Sequence, residues 1–400
     1  MAYSALTQHD REEMLQTIGV SSVAELFADI PAHLREQASP QIGEAQSELT
    51  VRRAMTQLSR RNVSSDDAAI FLGAGSYDHY IPAVVPAIVQ RGEFMTAYTP
   101  YQAEVSQGTL QVIYEFQTLL CQLTGMEMAN ASLYDGATAL AEAVIMAMAV
   151  TKKNKVLLPR TVSPMYRRVV ETYLQGLDVE LVEIEYSDGA TSLENLTSQL
   201  DSAVAAIVVQ SPNFFGTVED VKALAELAHQ NGALLVQVFN PLSLGVLQTP
   251  GECDVDIAVA EGQPLGIGMS FGGPGVGLFC CRKNYARFAP GRLVGQTTDE
   301  QGRIGYTLTL QTREQHIRRE KATSNICTNQ ALCALMASVY LAAMGPGGLR
   351  EAAVQCHSKA QYLALKLAEV GGVKLLFSSP FFHEFVVQLP QPAEKVNTKL

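Results

Sequence analysis

No block of lysine and arginine stands in this chain. Its 400 residues carry 29 Lys+Arg against 40 Asp+Glu, a net charge of −11. The densest basic group, residues 313–321, is broken by Glu314 and Glu320 and reads as a mixed helix face. Nucleic-acid binding needs a basic stripe, so this balance disfavours it. Cysteine is sparse and unpatterned. Cys121, Cys253, Cys280, Cys281, Cys327, Cys333 and Cys356 are odd in number and show no CxxC spacing, which predicts reduced thiols in a cytoplasmic protein. Long apolar runs are missing too. The stretch 137–150 contains Glu142 and is shorter than the ~20 residues that span a bilayer. The polar start MAYSALTQHDREEM offers no secretory signal, so no membrane association is expected. The seven histidines form no metal pattern. His79 reads as packed or exposed, and His316 as lying on a solvated helix face. Neither a GxSxG elbow nor a P-loop occurs.

What is present is ordinary globular composition, 47% hydrophobic and 17% charged, enough to build a large core. The first seventy residues read as helical. Thr7–Asp10 and Ser22–Glu25 have capping-box spacing, Pro31 is expected to stop the second segment, and a further helix is expected over 49–58. From 104 to 280 helical and strand patterns alternate. Helices are expected at 108–123, 138–150, 163–174, 193–200 and 218–230. Strands are expected at 155–158, 179–184, 205–209, 234–238, 257–260 and 278–281. Continuous apolar strands alternating with helices imply an α/β fold with a mostly parallel sheet covered on both faces. Later the order changes to helices at 331–344 and 349–369, then strands at 373–377 and 384–389. The expected domains are a helical arm at 1–70, a large α/β domain at 71–325 and a small α+β C-terminal domain at 326–400, which ends abruptly enough to suggest that it is incomplete.

Three segments carry candidate chemistry. Small residues and a hydroxyl precede the buried helix in Asn130-Ala-Ser-Leu-Tyr-Asp-Gly-Ala-Thr138. A helix N-terminus of this kind suits an anion such as phosphate, or is simply a capped helix start. The segment 96–108 crowds Tyr98, Tyr101, Gln102, Glu104 and Gln107 around a proline, as a pocket-lining loop does, or as an extended loop leading into a helix. The glycines of 272–277 run into a strand rather than a helix, so a dinucleotide site is not supported.

The segments FLGAGSYDHYIP (71–82), RGEFMTAYTPYQAEVSQGTLQ (91–111), NASLYDGATALAEA (130–143), QSPNFFGTVED (210–220), EGQPLGIGMSFGGPGVG (261–277) and RREKATSNICTNQAL (318–332) resemble the glycine cleavage system P-protein family, subunit 1 of glycine dehydrogenase (decarboxylating). The resemblance covers nearly the whole chain. It implies a fold-type-I pyridoxal-phosphate (PLP) architecture. In that fold a strand-borne Asp pairs with the pyridinium nitrogen and a later Lys forms the Schiff base. Here Gln237 or Asn240 stands near the Asp position, and Gly262-Gln263-Pro264 near the Lys position. No lysine occurs between Lys222 and Lys283. Gly136, Ala137 and Thr138 read as a vestigial phosphate loop.

The resemblance therefore implies a degenerate chain with no complete catalytic set of its own. PLP is held by a partner, subunit 2, usually in an α2β2 tetramer. Together they decarboxylate glycine and pass the aminomethyl group to the lipoyl arm of H-protein. Tyr98, Tyr101, Gln102, Glu104 and Gln107 are this chain's candidate contribution to a shared site. The rival readings are an independent PLP enzyme, opposed by the missing lysine, and a pure scaffold for subunit 2, opposed mildly by the tyrosine loop. A nicotinamide dehydrogenase has no early GxGxxG to support it.

Overall fold

The computed structural model describes residues 5–38, 42–71, 73–311, 315–322, 324, 326 and 328–399. Arg313, Glu314 and Cys327 lie outside the described residues. The chain divides into two compact units, residues 1–70 and 71–400.

The first unit holds helices α1 (Gln8–Ile18), α2 (Ala32–Gln37) and α3 (Glu48–Ser59). Thr7 and Asp10 form a reciprocal capping box on α1, and Gly19 closes it in the left-handed region at φ +88°. The second expected box does not form. Ser22 makes no cap bond to the 3-10 turn Val23–Phe27, because Glu25 instead accepts from the Ser21 backbone N–H at 3.2 Å. Pro31 does not end a helix but begins α2, where its fixed φ suits helix entry. No described residue of this unit is buried.

The second unit is built on a seven-stranded sheet. Its strands are β1 (Met128–Ala129), β2 (Lys155–Pro159), β3 (Glu180–Ile184), β4 (Val204–Ser211), β5 (Leu234–Phe239), β6 (Ile257–Glu261) and β7 (Gly277–Cys281). The order is β1-β7-β6-β5-β4-β2-β3. Strands β6, β5, β4, β2 and β3 are parallel; β7 and β1 close one edge antiparallel. The all-apolar strands are buried on both faces. On one face lies α5 (Gly136–Thr151), whose Ala139, Leu140, Ala143, Val144 and Ala147 pack on Val236, Val238, Ile257 and Val259, with α6 (Pro164–Leu174) beside it. On the other face, Leu235, Phe239, Ala258 and Ala260 pack with α4 (Gln107–Thr124), α7 (Val221–Gln230) and α8 (Ala331–Ala368). An antiparallel ribbon, β8 (Leu293–Thr298) and β9 (Ile304–Thr309), lies beside α4.

Helix α8 is two helices in succession, broken at Gly345 (φ +59°, ψ −179°) where the sequence runs Gly-Pro-Gly-Gly. An 18-residue window of α8 is apolar enough to cross a membrane by composition. Yet Cys333, Ala334, Ala337 and Tyr340 from its first half are buried in the sheet core, and the break interrupts it.

The two C-terminal strands are shorter than their sequence pattern suggests, pairing only Lys374–Leu375 with Val387–Gln388. The segment between them bonds elsewhere. Phe382 N donates to Gly216 O at 3.1 Å, and Val218 N to Pro380 O at 2.9 Å. This stitches the C-terminal segment across the loop after β4.

Candidate functional site

A cleft opens where the parallel strands end. It is lined by Ser163 after β2, Gln210 and Pro212 at the end of β4, Val238, Phe239 and Asn240 at the end of β5, and Glu261 and Pro264 at the end of β6. Ala74, Gly75 and Tyr77 close it on one side, and His383 and Glu384 on another. The carboxyl ends of parallel strands are where open α/β sheets bind ligands, because loops there diverge while the helices begin. The cavity volume is about 90 Å³.

Of the two residues expected near the cofactor's ring nitrogen, Asn240 lines the cleft and Gln237 does not. Side chains alternate along β5. Val236 and Val238 face α5, while Leu235 and Phe239 face α7 and α8, so Gln237 points to that opposite side. There it is 3% exposed, and its Oε1 has no hydrogen-bond partner. Asn240 is engaged in a turn, accepting from Leu242 N at 2.9 Å through Oδ1.

The start of α5 is already bonded. Asp135 caps it, accepting from Thr138 N at 2.8 Å, and Thr138 Oγ1 accepts from Asp135 N at 3.2 Å. Gly136 N donates to Glu261 Oε2 at 3.0 Å. Glu261 Oε1 accepts from Gln263 N and Val276 N, both at 2.9 Å. Burial pushes the Glu261 carboxyl above its usual range, against the pull of these N–H groups. Gln263 turns away, its Nε2 donating to Ile267 O at 2.6 Å, and Pro264 lines the cleft wall.

The opposite wall holds a titratable cluster. The Tyr77 hydroxyl donates to Glu384 Oε2, and Ala74 N donates to Glu384 Oε1 at 2.6 Å. The His383 ring lies 4.5 Å from that of Tyr77 between centroids, with neither ring nitrogen partnered. Burial lowers His79 and His383 to about 4, and raises Tyr77, Tyr166 and Glu384. Tyr77 and Glu384 stand 307 residues apart in sequence, so no local pattern joins them. Glu261 carried a readable signal: an acid closing an otherwise apolar strand.

The tyrosine loop lies elsewhere. Tyr98 is 85% exposed and borders a separate pocket with Phe94, Ile113 and Leu335. The Tyr101 hydroxyl accepts from Arg292 Nη2 at 3.0 Å, and that guanidinium lies 5.3 Å from the ring centre. Gln102 and Glu104 are exposed. Gln107 is occupied in structure: its amide donates to Tyr306 O at 2.8 Å and accepts from Tyr306 N at 2.9 Å, tying α4 to β9. Lys283 is exposed just beyond β7. Because β7 runs antiparallel to β6, it sits at the end of the sheet away from the cleft. His316 is exposed on the helical turn Gln315–Arg318.

The family model described as glycine cleavage system P-protein matches residues 1–399. The chain belongs to the glycine cleavage system P-protein family. Its curated relatives include "Probable glycine dehydrogenase (decarboxylating) subunit 1" of Desulfitobacterium hafniense, 50% identical over 100% of this chain and 90% of that one. The protein of the same description from Geobacillus thermodenitrificans is 52% identical over 100% and 89%. A crystal structure of glycine decarboxylase (P-protein) in inhibitor-bound form superposes with a TM-score of 0.93 at 47% identity, covering 100% of this chain and 90% of that one. A glutamate decarboxylase from Lactobacillus brevis, at 14% identity and a TM-score of 0.61 over 91% and 83%, shares the fold. The chain is thus a subunit 1 of the P-protein, on the fold of PLP-dependent decarboxylases, and that numbering implies a subunit 2.

The P-protein family is PLP-dependent, but this cleft does not fit the cofactor. No lysine lines it among the described residues, Asn240 offers no charge for a pyridinium nitrogen, and Gly136 N is taken by a carboxylate.

Proposed function

We propose that this chain is the cofactor-free partner in a two-subunit glycine decarboxylase. Subunit 2 holds PLP and the Schiff-base lysine. The pair, usually an α2β2 tetramer, decarboxylates glycine and hands the aminomethyl group to the lipoyl arm of H-protein. This chain completes the shared site and lacks activity alone. The observation that carries the reading is Glu261 bonded into the start of α5, in a cleft without lysine. A cytoplasmic setting belongs to the same proposal, supported by seven cysteines without CxxC spacing.

The exposed loop of Tyr98, Tyr101, Gln102 and Glu104 is this chain's candidate contribution. Arg292 holds Tyr101 in place, so the loop presents a set geometry to a partner. Such positioning groups act by lowering the entropy of the reacting arrangement and by excluding water.

Borohydride reduction tests the assignment. With PLP added to both subunits, a phosphopyridoxyl-lysine is expected on subunit 2 alone, and glycine decarboxylation only in the mixture. A stoichiometric adduct on this chain, at Lys283 or elsewhere, would make it a PLP enzyme in its own right. Tyr98→Phe with Tyr101→Phe should lower kcat of the assembled pair about 10-fold or more. Unchanged kinetics would leave this chain a scaffold.

A further inference from the structure

Three backbone N–H groups from three separate segments converge on one carboxylate. Gly136 opens α5, Gln263 follows β6 and Val276 precedes β7, and all donate to Glu261 within 3.0 Å. Converging amides at a helix N-terminus form an anion cradle, and such cradles hold phosphate. Glycine shapes this one. A Cβ on Gly136 would lie 2.6 Å from Glu261 N, and one on Gly275 would lie 2.9 Å from Glu261 Oε2. The close approach of three backbones around the carboxylate therefore depends on missing side chains.

We infer that Glu261 is a built-in anion that fills the phosphate cradle at the start of α5 and so bars a phosphate-bearing cofactor from this chain. The inference rests on the proposed division of labour and gives it a cause beyond the lost lysine. Two anions cannot share these donors: a phosphate entering beside Glu261 would meet like charge in a partly dehydrated cleft and find its N–H groups spent. The tether also has the right length. Glu261 is the last residue of β6, so its side chain reaches the helix start without any loop rearrangement. A carboxylate here supplies the negative charge that the helix dipole and the free amides favour, and the fold keeps its geometry with no ligand bound.

The test uses the full-length chain and inorganic phosphate as probe. Melting temperatures of wild type, Glu261→Ala and Glu261→Gln are compared in chloride and in about 0.1 M phosphate at matched ionic strength. Glu261→Ala should melt several degrees below wild type in chloride. Phosphate should return about 2 °C or more of that loss through binding to the folded state, with saturable broadening of the phosphorus-31 resonance. Wild type and Glu261→Gln should not respond, since a side chain still fills the cradle. An Ala variant indifferent to phosphate overturns the inference, as does an equal response in all three proteins. Failure of that variant to fold in either buffer overturns it too, because a vacated cradle that phosphate cannot refill is not a phosphate cradle. None of these outcomes alters where the borohydride adduct forms, so failure of this inference and failure of the proposed division of labour are told apart.

Discussion

Glu142 interrupts the apolar face of α5 at 3% exposure. Burial raises its carboxyl to about 7, opposed by a hydrogen bond with Ser324. A carboxyl whose folded value lies above its unfolded one near 4.5 contributes stability at low pH, and loses it as pH rises through about 7. Glu142→Gln should therefore gain on wild type between pH 4.5 and 8, by up to about 3 kcal/mol. Urea melts across that range would show a constant difference if the group were not buried. His383 has the opposite sign. Burial holds its imidazole at about 4, below the usual 6.5, so its contribution is present above 6.5 and is lost as pH falls toward 4. His383→Phe, packing on Tyr77 and Phe382, should become progressively more stable than wild type as pH falls from 6.5 to 4. A pH-independent difference in melting temperature would count against that.

At the scale of elements, most of the sheet was legible. Apart from the edge strand β3, each parallel strand is a short run such as AIVV or LLVQV, buried on both faces, and such runs announce themselves by composition. The break in α8 was legible as Gly-Pro-Gly-Gly, and the loop of 272–277 as a strand connection. The cleft was legible only in part. Its helix start of small residues and a hydroxyl and the lack of lysine between 222 and 283 could be read in the sequence, but the wall of Tyr77, His383 and Glu384 is assembled by tertiary contact alone. The C-terminal strands came out shorter than expected, and the segment between them bonds to the loop after β4. That stitch makes a prediction. Gly216 has φ +87°, and a Cβ there would run into the Glu384 carbonyl. Gly216→Ala should cost about 2 kcal/mol or more and speed amide exchange in residues 380–386. Equal protection in both proteins would show that the stitch does not hold that wall.

At the scale of the whole molecule, the two units differ in kind. Residues 71–400 enclose the sheet and its core clusters, while no described residue of 1–70 is buried and Met14, Ile18, Phe27, Leu34 and Met55 stand exposed. A peptide of residues 1–70 should be mostly coil by circular dichroism, since short helices without a packed face are marginal in water; a cooperative melt of that peptide would show an internal core. The Glu261 arrangement carries an evolutionary consequence. Restoring a lysine to the loop after β6 would set its ammonium beside a carboxylate already held by three amides. Replacing Asn240 with an acid would add a third carboxyl group to a cleft that already holds Glu261 and Glu384. The lysine would be drawn into an ion pair with Glu261, and the acid would meet like charge, so neither change alone vacates the start of α5. On the proposed division of labour, the route back is not a single substitution, so the two chains would be retained as a pair.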